Sequence, residues 1–182
     1  MDARAIVLVE GPSDRLAVET LAERRGRDLA AEGVLVLPIG GAHALGNALR
    51  LIGPREITLA GLCDAGEERE VARALERAGL GAGLTRATLA ELGFFVCDAD
   101  LEDELIRALG VDAVERVLAE NGDLSSFRTF QKQPQWRGRP VEHQLRRFFG
   151  SSAGKVAYAR PLVQALDLER VPPPLDGVLA RV

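Results

Sequence analysis

Apolar and polar positions along this chain fall into two regimes: short unbroken aliphatic runs, and longer stretches in which apolar residues recur every three or four positions. The runs lie at about 5 to 9, 34 to 38, 57 to 62 and 93 to 97. Runs of this length, bounded by Gly, Pro or acidic residues, predict strands buried on both faces. Helical periodicity at about 13 to 25, 42 to 51 and 67 to 78 predicts helices between them. The order βαβαβαβ predicts an α/β fold with a central four-stranded parallel sheet, right-handed crossovers and helices on both faces. From Leu101 the pattern turns wholly helical: Leu101, Leu105, Ala108 and Leu109 share one face, Val111 to Leu118 form another, and Gly110, Gly122 and Gly150 punctuate. The closing VPPPLDGVLARV opens on three prolines, which lack donors and fix φ, and reads as an extended tail that packs back. The expected organisation is a core over 1–100 and a C-terminal helical extension over 101–182, packed as parts of one domain.

The residues at the end of each predicted strand move the picture from fold to chemistry. The first strand ends in Glu10-Gly11-Pro12-Ser13-Asp14, the third in Asp64-Ala65-Gly66-Glu67-Glu68, and the fourth in Asp98-Ala99-Asp100-Leu101-Glu102-Asp103-Glu104. Glu10 and Asp14 alone fit a loop glutamate and a helix-capping aspartate as well as they fit a ligand site. The recurrence decides, because parallel strands bring their carboxyl ends to one edge, where open α/β sheets hold ligands. Carboxylates gathered there repel one another by several kcal/mol unless cations offset them. Oxygen donors of this kind predict Mg²⁺ or Mn²⁺.

VEGPSD, the Gly40-Gly41 turn after VLVLPI, and the aspartate of GLCDAGEE resemble the three signatures of the Toprim domain, the metal-binding catalytic unit of topoisomerases, bacterial primases and several nucleases. The later DADLEDEL and the lysine of GSSAGKVAYARPL are similar to the Toprim half of OLD-family (overcoming lysogenization defect) nucleases. The resemblance spans most of residues 4–166 and implies a Toprim, Rossmann-like fold. It further implies a Mg²⁺- or Mn²⁺-dependent endonuclease that uses two ions to hydrolyse DNA. Residue by residue, Glu10 matches a metal ligand or general acid-base group, Asp14 the second acid of OLD-type enzymes, Asp64 the first aspartate of a DxD, Asp100 and Glu102 the later acids, and Lys155 a lysine that stabilises charge on the phosphate. Gly66 stands where the second DxD aspartate belongs, and Glu67 or Glu68 would have to reach the ion instead. That departure keeps a degenerate, non-cleaving metal- or nucleic-acid-binding Toprim protein open as an alternative, alongside a Toprim ribonuclease that processes structured RNA. OLD-family nucleases usually carry an ATPase domain ahead of the Toprim half, and no GxxxxGK[ST] occurs here. The chain is therefore expected to act alone, as a homo-oligomer, or with an ATPase supplied in trans.

Charge distribution adds a partner. From Leu124 to Arg160 the chain carries Arg128, Lys132, Arg137, Arg139, Arg146, Arg147, Lys155 and Arg160 against Glu142 alone, a net of +7. The formal total is −4, so the remainder carries −11. An acidic, cation-binding part joined to a basic part suits a phosphodiester enzyme, and Arg128, Lys132, Arg137, Arg139, Arg146 and Arg147 are the expected nucleic-acid contacts, with DNA favoured over RNA. The phenylalanines interleaved there read as core, and Trp136 as either a base-stacking residue or a cap on that core. His43 and His143 read as surface residues.

With 182 residues, 47% of them hydrophobic and 27% charged, the chain can bury one sizeable core. No stretch approaches eighteen consecutive apolar residues and MDARA lacks a basic leader, so the expectation is a cytoplasmic protein without membrane contact. Cys63 and Cys97 read as buried core residues, with no zinc spacing and no disulfide.

Overall fold

The computed structural model describes residues 3–53 and 56–182. Four parallel strands, β1 (Ala5–Val9), β2 (Val34–Pro38), β3 (Thr58–Asp64) and β4 (Phe94–Cys97), form a sheet in the order β2-β1-β3-β4. Val7 of β1 is paired with Val36 on one side and Ala60 on the other, and Asp64 of β3 with Cys97 of β4. All five residues of AIVLV are buried, as a central strand requires. Side chains alternate across the sheet: Ala5, Val7 and Val9 enter one apolar core, Ile6 and Leu8 the other.

The second core is closed by α2 (Leu45–Ile52), α3 (Glu68–Arg77) and α4 (Arg86–Glu91). The first is closed by α1 (Pro12–Arg24) and by the helices after β4: α5 (Leu101–Leu109), α6 (Val111–Glu120), α7 (Leu124–Gln131), α8 (Val141–Phe149), α9 (Ser152–Ala165) and α10 (Pro173–Arg181). α9 lies along α1, where Arg24 donates to the carbonyls of Val163 (2.9 Å) and Leu166 (2.7 Å) at its C-terminal end. The predicted α/β sheet with helices on both faces is what forms. α4 escaped the sequence reading, being a six-residue helix started by the Thr85 cap.

The expected extended tail is a helix, α10. Pro172 is the residue before it, and Pro173 and Pro174 occupy its first turn, where backbone N–H groups have no intrahelical partner and a fixed φ is already helical. Gly177 lets α10 close on the sheet: a Cβ there would stand 2.4 Å from the Phe95 ring. Arg27 donates to the carbonyls of Leu179 (2.7 Å) and Val182 (2.8 Å) at its far end. Phe127 and Phe149 are core residues as expected, and Cys63 and Cys97 are buried free thiols.

Candidate active site

The carboxyl ends of β1 and β3 and the first turns of α1, α5 and α9 enclose a cleft of about 210 Å³ lined by Glu10, Gly11, Ser13, Asp14, Asp64, Glu102 and Lys155. Each acid arrives there for a local reason. Glu10 is the first residue past β1. Gly11, extended at φ −142°, caps α1, and Asp14 in the first turn accepts the Gly11 N–H at 2.8 Å, which orients its carboxylate at the helix mouth. Asp64 is the last residue of β3. Asp100 caps α5 by accepting the Asp103 N–H at 2.8 Å, and Glu102 follows in its first turn, only 6% exposed. Lys155 lies just inside α9, which Ser151 caps by accepting the Gly154 N–H at 3.0 Å.

Crowding shows in the titration of these groups. Burial, then the neighbouring Glu10, Asp100 and Asp14, push the Asp64 carboxyl up to about 7. Burial also raises Asp14, to about 6, although the Gly11 N–H works the other way. Glu10 is raised by burial and by Glu67 beside it. Burial works against the Lys155 ammonium, but its bond to Glu102 and the fields of Glu102, Asp100 and Asp64 outweigh that effect, and its pKa rises.

Two cations answer two of the acids. Lys155 Nζ stands 2.7 Å from Glu102 Oε2, and Arg146 from α8 places both Nε and a terminal nitrogen 2.7 Å from Asp100 Oδ2. Among the described residues, no three His, Cys, Asp or Glu side chains stand together as a ready cation cage. The donor set nevertheless fits a hard divalent ion in kind, being part-buried carboxylate oxygens gathered at one edge of the sheet.

The structure corrects several residue assignments. Glu67 does not line this cleft; it sits with Glu10 in a separate cavity of about 20 Å³ and accepts the Ala42 N–H at 3.0 Å, bracing the Gly40-Gly41 turn. Both glycines have positive φ (79° and 103°), and a Cβ on Gly41 would meet the His43 ring at 3.1 Å. Glu68 is turned away onto Arg86 at 2.7 Å. A side chain at position 66 would meet nothing within 4 Å. Of the expected nucleic-acid contacts, Arg146 is paired to Asp100 and Arg128 to Glu115, and Arg160 in the same basic segment is paired to Glu23. Glu104, which sequence reasoning gave no role, is buried and folds the β4–α5 turn by accepting the Asp98 N–H at 2.8 Å and pairing with Arg107.

The basic segment beyond the cleft is a braced loop. Gln144 of α8, buried, donates to the carbonyls of Trp136 (2.8 Å) and Arg139 (3.1 Å) and accepts from Gln131 (2.7 Å). Trp136 stacks on Phe130 with ring centroids 5.2 Å apart, and the Arg139 guanidinium lies over its ring. Trp136 therefore caps the aromatic core. Lys132, Arg137, Arg139 and Arg147 face solvent with no carboxylate partner among the described residues. His143 is exposed, as expected.

Residues 3–65 match the model of the overcoming lysogenization defect protein-like TOPRIM domain, a span that runs from before Glu10 through Asp64. No curated protein gives a match. Among solved structures, the C-terminal region of the Burkholderia pseudomallei OLD protein superposes with a TM-score of 0.74 at 21% identity, covering 100% of this chain and 97% of that one. The C-terminal region of the Xanthomonas campestris pv. campestris OLD protein gives 0.73 at 21% identity, covering 99% and 92%. The chain is thus similar to the Toprim half of OLD proteins, in sequence over residues 3–65 and in fold over its whole length.

Proposed function

We propose that this protein is a Mg²⁺- or Mn²⁺-dependent endonuclease that hydrolyses phosphodiester bonds of DNA. The observation that carries the reading is the convergence of Glu10, Asp14, Asp64, Glu102 and Lys155 on one cleft at the carboxyl edge of the sheet. Glu10, Asp14 and Asp64 would hold one divalent ion, and Asp100 and Glu102 a second. When bound, such ions supply Lewis-acid activation of water and charge stabilisation at the phosphate. The chain's own residues do the rest. Glu10, its pKa raised, accepts the proton of the attacking water; Lys155 donates to a non-bridging phosphate oxygen as negative charge builds on it. Arg137, Arg139, Lys132 and Arg147 hold neighbouring phosphates of the strand.

Purified protein incubated with supercoiled DNA, single-stranded DNA and structured RNA, each with Mg²⁺, Mn²⁺ or EDTA, tests the reading. The expected result is metal-dependent DNA cleavage that Glu10→Gln abolishes. Preference for RNA would favour the ribonuclease alternative. Binding without cleavage would favour the degenerate one, whose support is glycine rather than aspartate at position 66. We further read residues 101–182 as an extension packed into the same domain as the core, since α9 lies on α1 and α10 on β3 and β4.

A further inference from the structure

Beyond the Gly40-Gly41 turn lies a groove that the proposed reaction leaves unused. It runs between α2 and α3, encloses about 330 Å³, and is lined by His43, Asn47 and Arg50 from the chain that enters and forms α2, by Arg77 from α3, and by Gly46 and the buried Ala74, which keep it open. The i, i+4, i+7 spacing of His43, Asn47 and Arg50 sets them on one side of that chain. No Asp or Glu lines the groove, and none occurs anywhere from residue 33 to residue 55. Of the acids on α3, Glu68 is held by Arg86 and Glu76 accepts the Leu84 N–H at 3.0 Å. The Asn47 side-chain oxygen accepts from Arg50, which leaves the Asn47 NH₂ as a donor. Among the described residues, the Arg77 guanidinium has no partner.

We propose that this groove holds backbone phosphates of the nucleic-acid strand, with Arg50, Arg77 and Asn47 as the contacts. The two guanidiniums and the Asn47 NH₂ offer donors and positive charge, so the groove calls for a ligand that brings acceptors and negative charge. Non-bridging phosphate oxygens bring both. Each arginine sits in the last turn of its helix, and the two helix ends contribute about −0.5 each, which leaves about +1 for a ligand. Compensation of a helix end accounts for one arginine per helix; it gives no reason for both to line one acid-free groove. Position favours a strand over a free phosphate. His43 stands against Gly41, where a Cβ would meet its ring at 3.1 Å, and the Gly40 N–H donates to the Glu10 carbonyl at 2.9 Å, so the groove adjoins the turn beside Glu10. α2 and α3 cover one face of the sheet, and α7 and α8, with the basic loop between them, cover the other. A strand crossing the carboxyl edge is then held on both sides of the acids. Its path over the cleft rests on the nuclease reading; binding in the groove requires no cleavage.

Fluorescence anisotropy of the full chain with a single-stranded DNA oligonucleotide, in EDTA and over a series of salt concentrations, tests the groove apart from catalysis. The doubly substituted Arg50→Ala, Arg77→Ala protein should bind roughly tenfold or more weakly at low salt. Its slope of log affinity against log salt should be shallower by about 1.4, the value for two phosphates of a single strand. Arg50→Lys combined with Arg77→Lys should keep most of the native slope. Arg116→Ala combined with Arg170→Ala removes the same charge from exposed residues outside the groove and should bind like the parent. Should the double alanine variant not fold, Asn47→Asp carries the test, since it sets a carboxylate beside Arg50 and should weaken binding severalfold. Affinity and slope unchanged in these variants would overturn the proposal, as would a mononucleotide that competes with the oligonucleotide at comparable affinity, the mark of a free nucleotide as ligand; either result leaves the nuclease reading standing. Native protein that binds no nucleic acid would remove both.

Discussion

Asp64 illustrates how much one residue's surroundings dictate. With its carboxyl raised from 3.8 to about 7, the group favours folding fully only below about pH 4, and that contribution is lost as pH rises through 7. In EDTA, native protein should therefore lose melting temperature relative to Asp64→Asn between pH 5 and 7.5, and Mn²⁺ affinity should climb over the same range as protons leave Asp64 and Asp14. A pH-independent difference between the two proteins, followed by differential scanning fluorimetry, would contradict this. Gly66 offers a complementary test. Its missing side chain leaves clear space and its backbone is not in the left-handed region, so Gly66→Asp should fold normally and tighten Mn²⁺ binding severalfold by calorimetry. Glu10, Asp14, Asp64, Glu102 and Lys155 were legible in the sequence because each stands at a strand end or helix start, where local pattern fixes position. The pairing of Arg146 with Asp100 was not, since the two lie 46 residues apart and meet only through how α8 docks. Glu67 stands one residue beyond the DxD position that Gly66 occupies, and one of its carboxylate oxygens accepts the Ala42 N–H.

At the scale of elements, the strands and the helices between them were readable from period alone, and the departures have identifiable causes. Three prolines look like an extended segment unless they cap and open a helix, where their missing donors cost nothing; α10 uses Pro172 before its start and Pro173 and Pro174 in its first turn. Gly177 then decides whether α10 can seat. Gly177→Val should press into Phe95, destabilise by about 1–3 kcal/mol and lower Tm by roughly 2–12 °C, readable by thermal denaturation. α9 carries a different burden, since its packing along α1 sets where Lys155 points. Lys155→Ala should slow cleavage by about 10²-fold with little loss of DNA affinity, and a variant that cleaves like the parent would take the residue out of the reaction.

Over the whole molecule the two signs of charge are separated: +7 between residues 124 and 160, −11 elsewhere. Only part of that basic excess is free to meet a partner, because Arg128, Arg146, Lys155 and Arg160 are paired within the fold. Reversing Arg137 and Arg139 to Glu should therefore weaken DNA binding and flatten its dependence on salt while leaving the saturated cleavage rate nearly intact, whereas Arg128→Glu should act through stability. Salt titrations by fluorescence anisotropy separate the two. Among the described residues, no helix is long and apolar enough to cross a membrane.

The order in which the cleft's parts occur along the chain has a consequence for its synthesis. A ribosome that has released residues up to Glu102 has delivered every acid of the cleft but neither Arg146 nor Lys155, nor the α9 surface against which α1 packs. Such an unfinished chain holds its carboxylates without the cations that pair with Asp100 and Glu102, and their mutual repulsion opposes closure of the site. On the nuclease reading proposed above, cleavage would then have to wait until the final third has emerged and docked, and a chain ending before α8 should show no cleavage in the same assay.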